Sequence, residues 1–142
     1  MRRKVSDPES LIPLMPAEFQ VLMSLAEGKR HGYGIMEEIR ARNGHEMKIR
    51  PGTLYGTIKR LSSWNLITQV EGNGYQDADV KRVYYAITDL GRTIASLEAH
   101  RLCKVVADAE SKGLTQLTGQ ENVSTRVAAT ATGSDRRARK LQ

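Results

Sequence analysis

Cysteine is almost missing from this chain: Cys103 is the only one in 142 residues. That excludes an intrachain disulfide and a cysteine-based zinc site, and it suits a reducing compartment. Also missing is any run of about 20 consecutive apolar residues, the length a membrane-spanning helix requires. The opening stretch Met1-Arg2-Arg3-Lys4-Val5-Ser6-Asp7 lacks the apolar centre of a secretion signal, so a cytoplasmic protein with no membrane partner is expected. His31, His45 and His100 are far apart and lack the i, i+4 spacing of a helical zinc site. Gly32-Tyr33-Gly34 has neither the third glycine nor the preceding strand of a dinucleotide fingerprint, and no nucleophile elbow or paired-carboxylate motif exists. No cofactor, metal or catalytic residue is expected, and the reading is of a protein that is not an enzyme.

What the chain does have is positive charge. Lysine and arginine number 22 against 16 acidic residues, a net charge of +6, which suits a polyanionic partner. The surplus is unevenly spread, because five basic and two acidic residues fall in Gly113–Gln142 and supply half of it. The charges of the folded part must therefore be judged by position.

Hydrophobic spacing divides the chain into elements. Pro16 at a first-turn position and Glu18 near the positive end of the helix dipole open a helix carrying Phe19, Leu22, Met23, Leu25 and Ala26, and Gly28 ends it. After the turn Lys29-Arg30-His31-Gly32, a second helix places Tyr33, Ile35, Met36 and Ile39 on its apolar side and stops at Asn43-Gly44. Pro51 opens a third, with Leu54, Ile58 and Leu61 at i, i+4 and i+7, Trp64 extending that side, and Asn65 suited to a left-handed cap. The period then changes to that of strands at Leu66–Val70 and Lys81–Ile87, with Gly72-Asn73-Gly74 marking the turn of a hairpin. Thr88 caps a long final helix that Gly113 stops. Beyond Leu114 the composition is too polar to offset the entropy of ordering.

The fold class expected is mainly α with a small β-hairpin: a flexible arm over 1–14, a winged helix-turn-helix over 15–87, a helix over 88–113 and a disordered basic tail over 114–142. The third helix's apolar stripe fixes it to the first two, leaving Gly52, Thr53, Gly56, Thr57, Lys59, Arg60 and Ser63 to face a major groove. Lys81, Arg82 and Tyr84 on the returning wing strand are placed to hold the adjacent backbone. Two alternatives stand beside this: Lys59 and Arg60 form a solvated face with the tyrosines in the core, or the third helix of a winged-helix module binds a protein and not DNA, the acidic tip Tyr75-Gln76-Asp77-Ala78-Asp79 forming part of that surface.

Three strings, His31-Gly32-Tyr33-Gly34-Ile35, Pro51-Gly52-Thr53-Leu54-Tyr55 with Lys59-Arg60-Leu61 behind it, and Arg82-Val83-Tyr84-Tyr85-Ala86-Ile87-Thr88 followed by Gly91, together resemble the PadR family of bacterial transcription regulators. The resemblance spans about Met15 to Leu114. It implies a winged-helix DNA-binding domain, a single C-terminal helix for dimerisation and, usually, repression of a nearby operon. By position it assigns Tyr33, Thr53, Tyr55, Thr57, Lys59 and Arg60 to the DNA grip and Lys81, Arg82 and Tyr84 to the wing. The acidic tip departs from the family's Gly- and Arg-rich one, which moves the expected contacts to the strand residues. Some relatives hold flat aromatic drugs with a tryptophan on the last helix; this chain has no aromatic residue after Tyr85, and Trp64 is on the third helix. A small-molecule effector of unidentified structure, lodged between subunits, remains an open expectation.

The last helix has two apolar lines. Leu90, Ile94 and Leu97 are expected to cover the chain's own hairpin and first helix, and Ala95, Ala99, Leu102, Val106 and Ala109 to form a dimer interface. At 1.5 Å per residue, Thr88 to Lys112 spans about 37 Å, more than one small domain covers. The partners expected are thus a double-stranded operator and a second copy of the chain.

Overall fold

Four helices and three short strands make up the described part of the chain, residues 7–44, 47–72 and 82–115 of a computed structural model. They are α1 (Pro16–Ser24), β1 (Arg30–His31), α2 (Gly32–Asn43), α3 (Pro51–Ser63), β2 (Ile67–Val70), β3 (Tyr84–Ile87) and α4 (Asp89–Ser111). This is the winged helix-turn-helix plan expected, with one strand more. The segment read as a turn before α2 pairs antiparallel with β3, Arg30 opposite Tyr85 and His31 opposite Tyr84, so the sheet has the order β1-β3-β2. Two residues are too few to show a period, and only pairing at long range reveals them as a strand. The wing tip, Lys81 and the tail beyond residue 115 lie outside the described residues.

The chain divides into two compact units, residues 1–101 and 102–142. In the first, α1 contributes Val21, Leu22 and Leu25, α2 Ile35 and Ile39, α3 Leu54, Ile58 and Leu61, the hairpin Leu66 and Ile67, and α4 Ile94, all buried in one core. Gly91 is placed where α4 meets the hairpin: a Cβ there would lie 2.0 Å from the Leu66 carbonyl oxygen. Local chemistry fixes the element ends. Asn65 adopts φ 59°, and the amides of Asn65 and Leu66 return to the carbonyls of Ser62 and Leu61, closing α3 with a Schellman turn. Thr88 Oγ1 accepts from the Gly91 N–H at 2.9 Å and caps α4. In the second unit α4 ends in the same way, with Gly113 at φ 72° and the Leu114 amide bonded to the Ala109 carbonyl.

Three expectations are corrected. The arm over 1–14 has defined structure from Asp7 onward: a 3-10 helix spans Pro8–Leu11, and buried Leu14 donates its N–H to the carboxylate of Glu98. Helix α1 stops at Ser24, four residues before Gly28, in a turn closed by the amides of Leu25 and Ala26. On α4 the buried positions are Gly91, Ile94 and Glu98, whereas Leu97 is exposed. A carboxylate occupies the place expected for Leu97 because Leu14 N–H and Arg101 Nε donate to it, satisfying a charge that burial alone would penalise.

Candidate nucleic-acid interface

Helix α3 buries Leu54, Thr57, Ile58 and Leu61 and turns Gly52, Thr53, Tyr55, Lys59 and Arg60 outward. Of the expected outward set, Gly56 and Ser63 are half-buried and Thr57 is the one fully inside. Three residues after Leu54, it falls on the apolar stripe and is wholly buried, its Oγ1 donating to the Thr53 carbonyl at 2.7 Å. The outward face is open: a Cβ added at Gly52 or at Gly56 meets nothing within 4 Å. Lys59 has no hydrogen-bond or ion-pair partner among the described residues, whereas Arg60 donates through Nε to Glu18 at 3.2 Å. That carboxylate is buried and also accepts the Met15 N–H at 2.8 Å, so the start of α1 and the guanidinium on α3 share one anchor.

The base of the wing adjoins this face. His31, Gly32, Tyr33, Tyr55, Arg82, Val83 and Tyr85 line a cavity of about 320 Å³ open to solvent. Tyr33 and Tyr55 are 60% and 55% exposed, and the Tyr55 hydroxyl lies over the start of α2, where a Cβ on Gly32 would approach it to 2.8 Å. Burial raises the Tyr85 phenol above its ordinary pKa, and the neighbouring Tyr55 phenol adds to the effect. Tyr84 was expected to face the duplex, and here the structure differs. It is only 6% exposed, meets the His31 ring edge-on at a centroid distance of 5.3 Å, and has the Lys29 ammonium 5.9 Å from its own centroid. Tyr84 therefore supports the surface from behind.

Of the expected grip, the structure thus brings Tyr33, Tyr55 and Arg82 together around one cavity and places Thr53, Lys59 and Arg60 on the outward side of α3. Thr57 and Tyr84 are inside, and Lys81 lies outside the described residues. Sequence reasoning passed over His31 as a turn residue. Its signal was its place directly before the glycine that opens α2, the position of a capping side chain. On α4, Ala95 packs on the chain's own core, Ala99, Val105 and Val106 are exposed, and Leu102 and Ala109 are half-buried. The first of the residues expected to face a partner is therefore used within the chain. Among the described residues no helix is long and apolar enough to cross a membrane.

Comparison with known proteins agrees with this architecture. A PadR family transcription regulator of Clostridium difficile superposes with a TM-score of 0.57 at 22% identity, over 67% of this chain and 95% of that one. A transcriptional regulator from Clostridium thermocellum does so with 0.55 at 28% identity, over 65% and 86%. An uncharacterized 37.1 kDa protein of transposon Tn4556 from Streptomyces fradiae is 34% identical over 89 residues, which is 63% of this chain but 24% of that protein. The model of the transcriptional regulator PadR-like family matches residues 21–96, from the middle of α1 into α4 and more than half of the chain. Because that match covers more than half of the chain and the helix order agrees with it, the chain belongs to the PadR-like family of transcriptional regulators.

Proposed function

We propose that this PadR-like regulator is a repressor that binds an inverted-repeat operator as a homodimer, α3 entering the major groove and the base of the wing holding the adjacent backbone. The observation that carries the reading is the outward face of α3. Gly56 sits in the interior of a helix, where glycine costs roughly 1 kcal/mol relative to alanine, yet none of the described residues occupies the space a side chain would fill. The cost is explained if a partner must come close to the helix backbone there. Thr53 at the helix start and the cations Lys59 and Arg60 flank the opening, the groups expected to meet base edges and phosphates. Arg82 extends the positive surface to the base of the wing.

The homodimer rests on α4. Val105 and Val106 are exposed on it, and with Ala99, Leu102 and Ala109 they give an apolar surface that a second copy would cover. Two recognition helices related by a two-fold axis then require two inverted half-sites.

Fluorescence anisotropy on a duplex selected by the protein tests the grip. Lys59→Ala, Arg60→Ala and Arg82→Ala should each weaken binding, and the salt slope should fall by about one unit for every phosphate no longer neutralised. Arg60→Ala should show the smaller electrostatic effect, because Glu18 already offsets part of its charge. Unchanged affinity and slope in all three would favour a protein-binding module instead.

A further inference from the structure

The contact between His31 and Arg82 contains a conflict of donors. His31 Nδ1 accepts the Gly34 N–H at 2.9 Å and so caps α2. An Nδ1 that accepts carries no proton, so the ring's proton is on Nε2. Yet Nε2 faces the Arg82 guanidinium NH1 at 3.0 Å, and a guanidinium has donors only. Were Nε2 instead to accept from Arg82, the proton would move to Nδ1 and α2 would be left without its cap. Two N–H groups therefore face each other with no acceptor for both among the described residues. An oxygen anion placed there would accept from both and keep the cap.

The surroundings fit such an anion. Both groups line the solvent-open cavity at the base of the wing, and the exposed ring of Tyr33 stacks beside His31 at 6.4 Å with planes 16° apart. Tyr84 backs the imidazole edge-on, holding its direction. Among the described residues no carboxylate lines this cavity, and Arg82 has no polar partner other than His31. We infer that His31 and Arg82 together seat one phosphodiester oxygen of the duplex backbone, with the His31 Nε2–H and an Arg82 N–H as paired donors. The inference rests on the duplex-binding reading and adds His31, a residue that reading does not use.

The test separates cap from seat. Asparagine is as good a cap as any residue, its side-chain oxygen able to take the Gly34 N–H, but it ends short of the Nε2 position. His31→Asn should keep the thermal midpoint and raise the duplex Kd about ten-fold, the size of effect expected of a hydrogen bond to a charged group. The factor should be the same on operator and random-sequence duplex, because phosphate contacts carry no sequence information. Combining it with Arg82→Ala should weaken binding no further than Arg82→Ala alone, since one anion bridges both groups. The ring nitrogens of His31, followed by NMR in the unsubstituted protein, should shift on adding duplex but not on adding inorganic phosphate at equal phosphate concentration.

Wild-type affinity in His31→Asn, or full additivity in the double variant, would overturn the seat while leaving duplex binding standing. A shift with inorganic phosphate alone would overturn it in favour of a free-phosphate site. Absence of any salt-dependent duplex binding by the wild-type protein would overturn the duplex reading and the seat with it. If His31→Asn melts early, the NMR titration decides.

Discussion

Thr57 and Arg60 lie one turn apart on α3, and both carry polar groups, yet one is sealed in the core and the other reaches solvent. The difference is set by partners. Thr57 satisfies its hydroxyl on the Thr53 carbonyl of its own helix, so its burial leaves no polar group stranded, whereas Arg60 stays at the edge, its guanidinium donating to Glu18 and, at 3.4 Å, to the Thr57 hydroxyl. Gly91 shows the opposite constraint, space and not polarity. A methyl group at this position meets a backbone carbonyl at 2.0 Å that cannot rotate away. Gly91→Ala should therefore destabilise the fold by about 1–3 kcal/mol through overpacking, or more if the hairpin must shift, lowering the urea midpoint. An unchanged midpoint would mean that the junction of α4 with the hairpin is looser than described. Residues whose role is settled within a few positions of sequence were readable: Asn65, Thr88 and Gly113 all serve as the caps their chemistry suggests. Tyr84 was not, because its burial depends on groups brought from a distance, whereas Thr57 and His31 had local signals, the apolar stripe and the place before Gly32, that their polar side chains masked.

At the scale of elements, α3 carries opposed demands. Its inner stripe is apolar and close-packed, while its outer side keeps Gly56 although glycine weakens a helix. Gly56→Ala separates the two: the fold should gain roughly 0.5–1 kcal/mol, as alanine suits a helix interior and nothing obstructs the methyl group. Duplex affinity should fall several-fold. A stabilised protein that binds as tightly as before would remove the close approach from the account. The order and type of the helices were legible because each has a 3.6-residue apolar period, and the hairpin because that period changes after Asn65. Strand β1 escaped notice because its pairing with β3 spans more than fifty residues of sequence and shows no local pattern. The α4 stripe was misassigned by one position at Leu97, since a buried Glu98 makes sense only once Leu14 and Arg101 are seen donating to it.

At the scale of the whole molecule, the proposed function asks for a face that reads DNA and a surface that a second copy covers. Residues 7–101 supply α3 and the wing base, and the apolar residues Leu102, Val105, Val106 and Ala109 of α4 belong to residues 102–142. The proposed homodimer would place two copies of the α3 face on one duplex, and its two-fold axis would then be written into the DNA as an inverted repeat. Hydroxyl-radical footprinting on an operator selected by the protein from random-sequence DNA tests this most directly. The account predicts two protected patches on one face of the duplex, centred one or two helical turns apart, about 34 Å or twice that, over inverted half-sites. A single patch over one half-site, or protection spread evenly along the duplex, would contradict it.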